Sequence, residues 1–581
     1  MSDYADAIAR AAGQTCARIA GYAGDLTGDA PVPGGVIVLA DRTRLIGQVT
    51  FGHADLERGL PMTLDRRFEI GSISKVFTSL LAGQFAAESR LGLDDPVSGF
   101  LPWLDLGALA RPATLRSLLN HTAGLVIGSD ALPDDLAQIW RMRNLAVDPE
   151  AGRFHYSNLG FQILGLALGA LAGEPVTDLV RSRLLEPMGM ADSIPAVTNA
   201  DRSGLAVGYT AARQDRPWAP GDPLAPAAWF EVATADGNIA ATGPDLARLV
   251  RLLLGRGEVD GRRVVAESVI EAMVTSLAPD GEPITQLPGL PPVTSSRYGL
   301  GINVETIGGD QCLTHGGGMV GYSTFLLADV SAQVGVVVLT NADGDGLYAQ
   351  MLARLAHADL VARLSGGAEP ALPGVDPTVR GGDQGAPGGA ALGRFTADQA
   401  AGQAPEFTLA ASRDDALVLT TAHGSGRLFR TLTGRYVTDH PDLRRFPLDL
   451  AERDGRPAWI SGPAVYRPAG PAPAAGERAG GDPAGTAVPA DWRALAGHYR
   501  CYSPWYPEFR VFVRDGSLWL AASGGTEAPG QDEPLIEVAP GEFRIGAEEW
   551  LPERLTAGPV VDGRVISVTR DGCEYSRSFT P

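Results

Sequence analysis

Two stretches of this chain, residues 366–390 and 469–489, are Gly, Pro and Ala with little hydrophobic period. Such segments bury too little apolar surface to offset the entropy of ordering them, and both read as linkers. They leave three pieces that must each build a core: 1–365, 391–468 and 490–581. With 581 residues and 45% hydrophobic content, the chain is too long for one ordinary domain and apolar enough for several.

The two C-terminal pieces resemble each other. Leu392-Gly393-Arg394-Phe395 parallels Leu495-Ala496-Gly497-His498-Tyr499, and Leu417-Val418-Leu419 parallels Leu518-Trp519-Leu520. Asp454-Gly455-Arg456 with Tyr466 parallels Asp562-Gly563-Arg564 with Tyr575. Alternating strands with Asp-Gly turns at this length predict a small antiparallel β-barrel in each piece, 391–468 and 490–581. Neither copy holds an evident catalytic set.

The first piece mixes elements. Residues 34–40 and 45–51 read as two strands, and apolar helices follow. Strand-like runs return at Tyr298–Val304, at Thr314–Met319 continuing to Leu326, and at Val334–Asn341, before a helix over 346–364. Strands at both ends around a helical middle predict an α/β domain whose antiparallel sheet is assembled from both ends of the piece.

The chemistry centres on Gly71-Ser72-Ile73-Ser74-Lys75. Lys75 is the only lysine among 48 Lys and Arg residues. Arg can replace Lys wherever positive charge suffices, but not where an amine must lose its proton. From Val76 the apolar residues Val76, Phe77, Leu80, Leu81 and Phe85 follow helical spacing. Ser72 and Lys75, at i and i+3, share a face of the first turn. The helix dipole and burial both disfavour an ammonium there. A neutral Lys75 could take the proton of Ser72, a poor nucleophile without a base.

Tyr156-Ser157-Asn158 precedes another apolar helix, Phe161–Ala172. A tyrosine at such a junction packs in most proteins; beside an activated serine it can also shuttle a proton. Asn158 would offer an amide to a substrate carbonyl. His315-Gly316-Gly317-Gly318 also marks oxyanion loops of α/β-hydrolases, but there a Gly-x-Ser-x-Gly elbow follows. Gly321-Tyr322-Ser323-Thr324-Phe325 lacks the second glycine, which excludes that reading. Glycines in a strand mark a bulge or the close approach of another backbone, and a substrate passing along the edge of His315-Gly316-Gly317-Gly318 would need that clearance.

The net charge of −20, with pI near 4.9, argues against nucleic acid and anionic membranes as partners. The N-terminal stretch carries acids and reads as an amphipathic helix rather than a secretory signal. No apolar run approaches a membrane span. A cytoplasmic protein with a small-molecule or short-peptide substrate is expected, with no cofactor. Cys16, Cys312, Cys501 and Cys573 lack metal-ligand spacing and are expected as free thiols, although Cys501 and Cys573 could meet if the last barrel closes.

In order, Ser72-x-x-Lys75, Tyr156-x-Asn158 and His315-Gly316-Gly317 resemble the three motifs of serine β-lactamases and penicillin-binding proteins. The version is the class C-like branch that includes esterases and D-amino-acid peptidases. Leu118-Leu119-Asn120-His121-Thr122-Ala123-Gly124, Leu185-Glu186-Pro187-Met188-Gly189 and Tyr298-Gly299-Leu300-Gly301 also resemble that family. The resemblance implies Ser72 as nucleophile, Lys75 and Tyr156 as base and acid, and an acyl-enzyme. It implies an oxyanion hole from the backbone N–H groups of Ser72 and Gly318. Two trailing lipocalin-like barrels resemble those of D-aminopeptidases, whereas one trailing barrel occurs in thioesterases that cyclise peptides. His315 stands where β-lactamases and D,D-peptidases usually carry Lys. The expected function is hydrolysis of a small amide or ester, such as a D-amino-acid amide. The alternative is an acyltransferase or thioesterase that passes the acyl group to an amine or alcohol. The intact Ser72, Lys75 and Tyr156 set argues against a non-catalytic binding protein.

Overall fold

A computed structural model describes residues 2–29, 31–107, 111–128, 135–142, 152–344, 346–373, 391–398, 403–412, 416–469 and 489–578. Most of each stretch read as a linker, 374–390 and 470–488, lies outside the described residues. The chain divides into two compact units. The first comprises Met1–Thr210 and Pro226–Pro373; the second comprises Ala211–Ala225 and Gly374–Pro581.

The first unit is an eight-stranded antiparallel sheet with helices on both faces. Its strands are β1 (Gly34–Asp41), β2 (Leu45–Asp55), β3 (Leu60–Pro61), β4 (Val293–Tyr298), β5 (Asn303–Ile307), β6 (Asp310–Met319), β7 (Tyr322–Asp329) and β8 (Val334–Thr340). The order is β4-β5-β6-β7-β8-β1-β2-β3. Strands from the two ends of the unit meet at β1 and β8, with Gly35 opposite Thr340 and Asp41 opposite Val334.

The helices that matter here are α1 (Ser2–Asp29), α2 (Ser74–Ala87), α3 (Leu115–Leu119), α4 (Asn158–Ala172), α5 (Gly243–Leu254) and α6 (Leu347–Ser365). Strand alternation sends Val36 and Val38 toward Gly243 of α5, while Leu39 points to the face that carries Ala12 and Cys16 of α1. Both faces are therefore covered, and β7 and β8 are buried throughout. That explains why β8 reads as a nearly continuous apolar run. Among the described residues no single helix is long and apolar enough to cross a membrane.

The structure corrects two strand boundaries. Tyr298–Val304 is not one strand: β4 ends at Tyr298, the chain turns through Gly299-Leu300-Gly301, and β5 begins at Asn303. Gly301 adopts φ +72°, and a Cβ there would collide with Ser79. The run from Thr314 to Leu326 is likewise a hairpin, turned at Gly321 with φ +86°. In both cases the glycine turn lies inside an apolar string and breaks a run that alternation alone would continue.

The second unit holds two eight-stranded antiparallel sheets of the same connectivity. In the first, β9 (Gly393–Ala397), β10 (Glu406–Ala411), β11 (Leu417–Thr421), β12 (Gly424–Arg430), β13 (Tyr436–Thr438), β14 (Asp449–Arg453), β15 (Arg456–Ser461) and β16 (Ala464–Pro468) follow one another. β16 returns to pair with β9, and only an isolated Tyr436–Leu448 bridge spans the seam between β13 and β14. The second is a closed barrel of β17 (Gly497–Arg500), β18 (Glu508–Arg514), β19 (Ser517–Ala521), β20 (Asp532–Ala539), β21 (Glu542–Ile545), β22 (Arg554–Ala557), β23 (Ser567–Arg570) and β24 (Cys573–Arg577).

The duplication extends to register. Phe395 of β9 faces Pro468 and Tyr499 of β17 faces Arg577, so the closing strands carry Tyr466 and Tyr575 at matching positions. Both hydroxyls donate to a carbonyl two residues before the second strand of their own barrel, Ala404 and Tyr506. Residues 211–225, inside the span 1–365 that sequence assigns to the first domain, pack with this unit. Asp222 pairs with Arg444, and Ala219 is buried against Phe429 and Val437. All four cysteines are free thiols.

Candidate active site

Ser72 sits in a 3-10 turn, Gly71–Ile73, that runs directly into α2. With three residues per turn, this geometry eclipses side chains at i and i+3 and stacks Lys75 over Ser72. Lys75 Nζ lies 3.0 Å from Ser72 Oγ. Ten of the 14 residues of α2 are buried, and Lys75 is fully so. Its ammonium or amine also donates to Asn158 Oδ1 at 2.7 Å and to the carbonyl of Asp236 at 3.0 Å.

Tyr156 and Asn158 reach Lys75 through a helix cap. Ser157 is the N-cap of α4, its Oγ accepting from Gly160 N–H and donating to Val126 O. The extended Ser157 lies between Tyr156 and the first helical residue, Asn158, and both flanking side chains come to the lysine. Lys75 Nζ lies 5.0 Å from the Tyr156 ring centroid and 5.6 Å from that of Phe161.

The His315-Gly316-Gly317-Gly318 string forms part of β6, opposite Leu326, Phe325, Thr324 and Ser323 of β7. Its glycines are not equivalent. A Cβ on Gly317 would run into the carbonyl of Ile70, and one on Gly71 into the backbone of Gly318. Gly71 also holds φ +50°, which side chains rarely adopt. The nucleophile turn thus lies backbone to backbone against the strand. Thr324 Oγ1 secures the approach by donating to Ile70 O. Gly316 has no such neighbour, the nearest being Phe325 at 3.8 Å.

His315 is buried, and both ring nitrogens are engaged. Nδ1 lies 2.6 Å from Gly316 O, which can only accept, so Nδ1 carries the proton. Nε2 therefore accepts from the Tyr298 hydroxyl at 2.8 Å. Burial, and then the nearby Lys75 charge, lower the imidazole to about 3. Burial raises Tyr298 well above the ordinary phenol range. The pair is neutral.

Three residues at this site were not singled out from sequence. His121, with φ +57°, packs at a tilt against the rings of Tyr156 at 4.3 Å and Tyr298 at 4.6 Å between centroids. Its Nδ1 accepts the Ser157 N–H and its carbonyl accepts the His155 N–H, so it fixes the segment that carries Tyr156. Burial, with Lys75 and His315 nearby, holds it far below the usual histidine range. Its only signal was its place in the Asn120-His121-Thr122 phrase. Tyr298 was visible only within Tyr298-Gly299-Leu300-Gly301. Asp236 lies in the loop before α5 and belongs to none of the three motifs.

Elsewhere, Cys312, Asp329 and His357 bring a thiol, a carboxylate and an imidazole within 4.8 Å of one another. His357 Nε2 and Asp329 Oδ2 already share a hydrogen bond of 2.7 Å, and burial raises the Cys312 thiol. The His357–Asp329 hydrogen bond ties α6 to β7.

Residues 19–360 match the family model described as Beta-lactamase. An uncharacterized protein of Mycobacterium tuberculosis (strain CDC 1551 / Oshkosh) is 28% identical over 338 residues, 52% of this chain and 84% of the relative. The D-aminopeptidase of Brucella anthropi is 28% identical over 309 residues, 50% of this chain and 52% of that protein. Among solved structures, the octameric penicillin-binding protein homologue from Pyrococcus abyssi superimposes with a TM-score of 0.54 at 23% identity, covering 78% of this chain and 99% of that one. The fold is that of the β-lactamase and penicillin-binding-protein superfamily of serine hydrolases. The chain belongs to the Beta-lactamase family.

Proposed function

We propose that this protein cleaves a small amide or ester through an acyl-enzyme on Ser72. The observation that carries the reading is the buried Lys75 amine 3.0 Å from Ser72 Oγ. Asn158 Oδ1 and Asp236 O can only accept. A neutral amine gives them two protons and keeps its lone pair for the serine proton. Ser72 Oγ then attacks the substrate carbonyl while Lys75 takes its proton. The proton passes to the leaving amine or alcohol, with Tyr156 as the second proton carrier beside Lys75. In this reading the N–H groups of Ser72 and Gly318 form the oxyanion hole, and such a donor contributes about 3 kcal/mol. Water then releases the acid and regenerates Ser72.

The D-aminopeptidase relative makes D-amino-acid amides and short peptides the first substrates to try. The neutral His315–Tyr298 pair favours acyl groups without a carboxylate at that position. Two measurements test the reading. A fluorophosphonate should label Ser72, located by peptide mapping. A panel of p-nitrophenyl esters and D- and L-amino-acid p-nitroanilides, with and without added amines, should show turnover to the free acid. Labelling elsewhere ends the assignment; acyl-amine products would make the enzyme a transferase.

A further inference from the structure

The loop before α5 is fastened to α2 at three points. Thr78 Oγ1 donates to Ala235 O, Lys75 Nζ to Asp236 O, and Ile239 N–H to Ser74 Oγ. Between these ties the Asp236 side chain is buried, with Oδ2 4.0 Å from Lys75 Nζ. Oδ1 has no hydrogen-bond partner among the described residues. The acyl-transfer steps above use the backbone carbonyl of Asp236 but give its carboxylate no task. A buried carboxylate is costly unless a cation offsets it, and here the cation is the lysine that has to give up its charge.

We propose that Asp236 is a positioning residue whose carboxylate is the counter-charge of Lys75 and sets the pH above which that lysine becomes a base. The inference rests on the Ser72–Lys75 reading. The other groups facing Lys75 are Tyr156, whose ring stands 5.0 Å away, and two imidazoles, His121 and His315, each of which feels its charge. Among the described residues, Asp236 brings its carboxylate to 4.0 Å of the Lys75 nitrogen. With the anion present the ammonium persists to higher pH, so activity rises later on the alkaline side of the acid limb. Removing the charge while keeping the shape moves that limb to lower pH. An opposite charge at this range is worth about 1–3 pH units.

The test exploits the single lysine of the chain. Labelling with ¹³Cε-lysine gives one side-chain resonance, that of Lys75, in the full-length protein. In wild type its titration midpoint should coincide with the acid limb of kcat/KM for a p-nitrophenyl ester. In Asp236→Asn both should fall together by about 1–3 units, so the variant gains relative activity at low pH. Asp236→Glu should restore the wild-type direction. If Asp236→Asn does not fold, Asp236→Ser is read in the same way. Unchanged midpoints in a folded variant overturn the proposal, as does a wild-type resonance that stays constant across the acid limb. Failure of fluorophosphonate to label Ser72 in wild type is a separate result. It would sink the Ser72–Lys75 reading itself, whereas labelling with an unmoved limb sinks only the role of Asp236.

Discussion

The start of α2 and the His315 end of β6 both bury a basic side chain, and they treat it in opposite ways. Lys75 is surrounded by oxygen acceptors, with a carboxylate 4.0 Å from its nitrogen. Among the described residues His315 is bonded to one carbonyl and one phenol, and its pKa is lowered to about 3. One region offers its cation oxygen acceptors and an anion; the other is kept neutral across the physiological range. The lesson is that burial alone does not decide charge. Partner atoms decide whether burial is offset: an anion rewards the charged form, and where none stands by, as at His315, burial keeps the group neutral.

The largest effect should follow from Ser72→Ala, which removes the attacking oxygen and leaves Lys75, Asn158 and Asp236 in place. We expect turnover to fall by about 10⁴ or more and covalent labelling to vanish, with circular dichroism unchanged. Acyl-enzyme accumulating in that variant would remove α2 from the chemistry altogether.

Lys75→Arg comes next. Arg serves at every other Lys or Arg position of the chain, so by composition it is the mildest exchange. A guanidinium cannot lose its proton, and we expect about 10²–10⁴ loss in kcat with the fold retained. Activity close to wild type would show that Lys75 acts only as a cation.

The strand end can be tested within one string. Gly317→Ala drives a methyl into Ile70 O and separates β6 from the nucleophile turn, whereas Gly316→Ala meets only Phe325 at 3.8 Å. Misplacement by about 1 Å costs about 10² in rate. We expect that loss in kcat for Gly317→Ala and near wild-type kinetics for Gly316→Ala. Equal effects would show that the close approach is not what these glycines serve.

Much of this contrast was legible in sequence because it is local. Ser72 and Lys75 are three residues apart, and the single lysine flagged the second of them. The barrels were legible because they recur, down to Tyr466 and Tyr575. What was hidden is non-local. Asp236 reaches Lys75 across 161 positions, and no periodicity links a loop to a helix at that distance. His121 became visible as a site residue only when Ser157 N–H and the Tyr156 ring arrived on it. The turn at Gly299–Gly301 was missed because apolar neighbours outweigh glycines in a short window, although the Ser79 contact makes Gly301 obligatory.

Buried neutral histidines also set a pH dependence of stability. The unfolded chain protonates His315 and His121 near the unperturbed value of about 6.5, while the folded chain holds both lower. Below that value the unfolded state binds more protons, so stability falls as pH drops from about 6.5 toward 3. The urea midpoint should therefore decline between pH 7 and pH 5, and His315→Gln should shallow the decline. An identical slope in that variant would mean that other groups dominate.

The smallest expected effect concerns selectivity at His315. Both its nitrogens are occupied and its charge is absent from pH 5.5 to 8.5. A neutral ester should therefore be preferred over its carboxylate analogue, and the ratio of the two kcat/KM values should show no histidine titration in that range. His315→Lys supplies a cation, which should shift the ratio toward the carboxylate by about fivefold, equivalent to about 1 kcal/mol from a partly screened ion pair. It also strands the Tyr298 hydroxyl and sets a second ammonium near Lys75, so absolute rates should fall for both substrates. The ratio is the discriminating quantity, because a general loss of activity cancels from it. If wild type already prefers the carboxylate above pH 7.5, an arginine supplies the charge that His315 does not. The two ends of the site would then differ in hydrogen bonding but not in electrostatics.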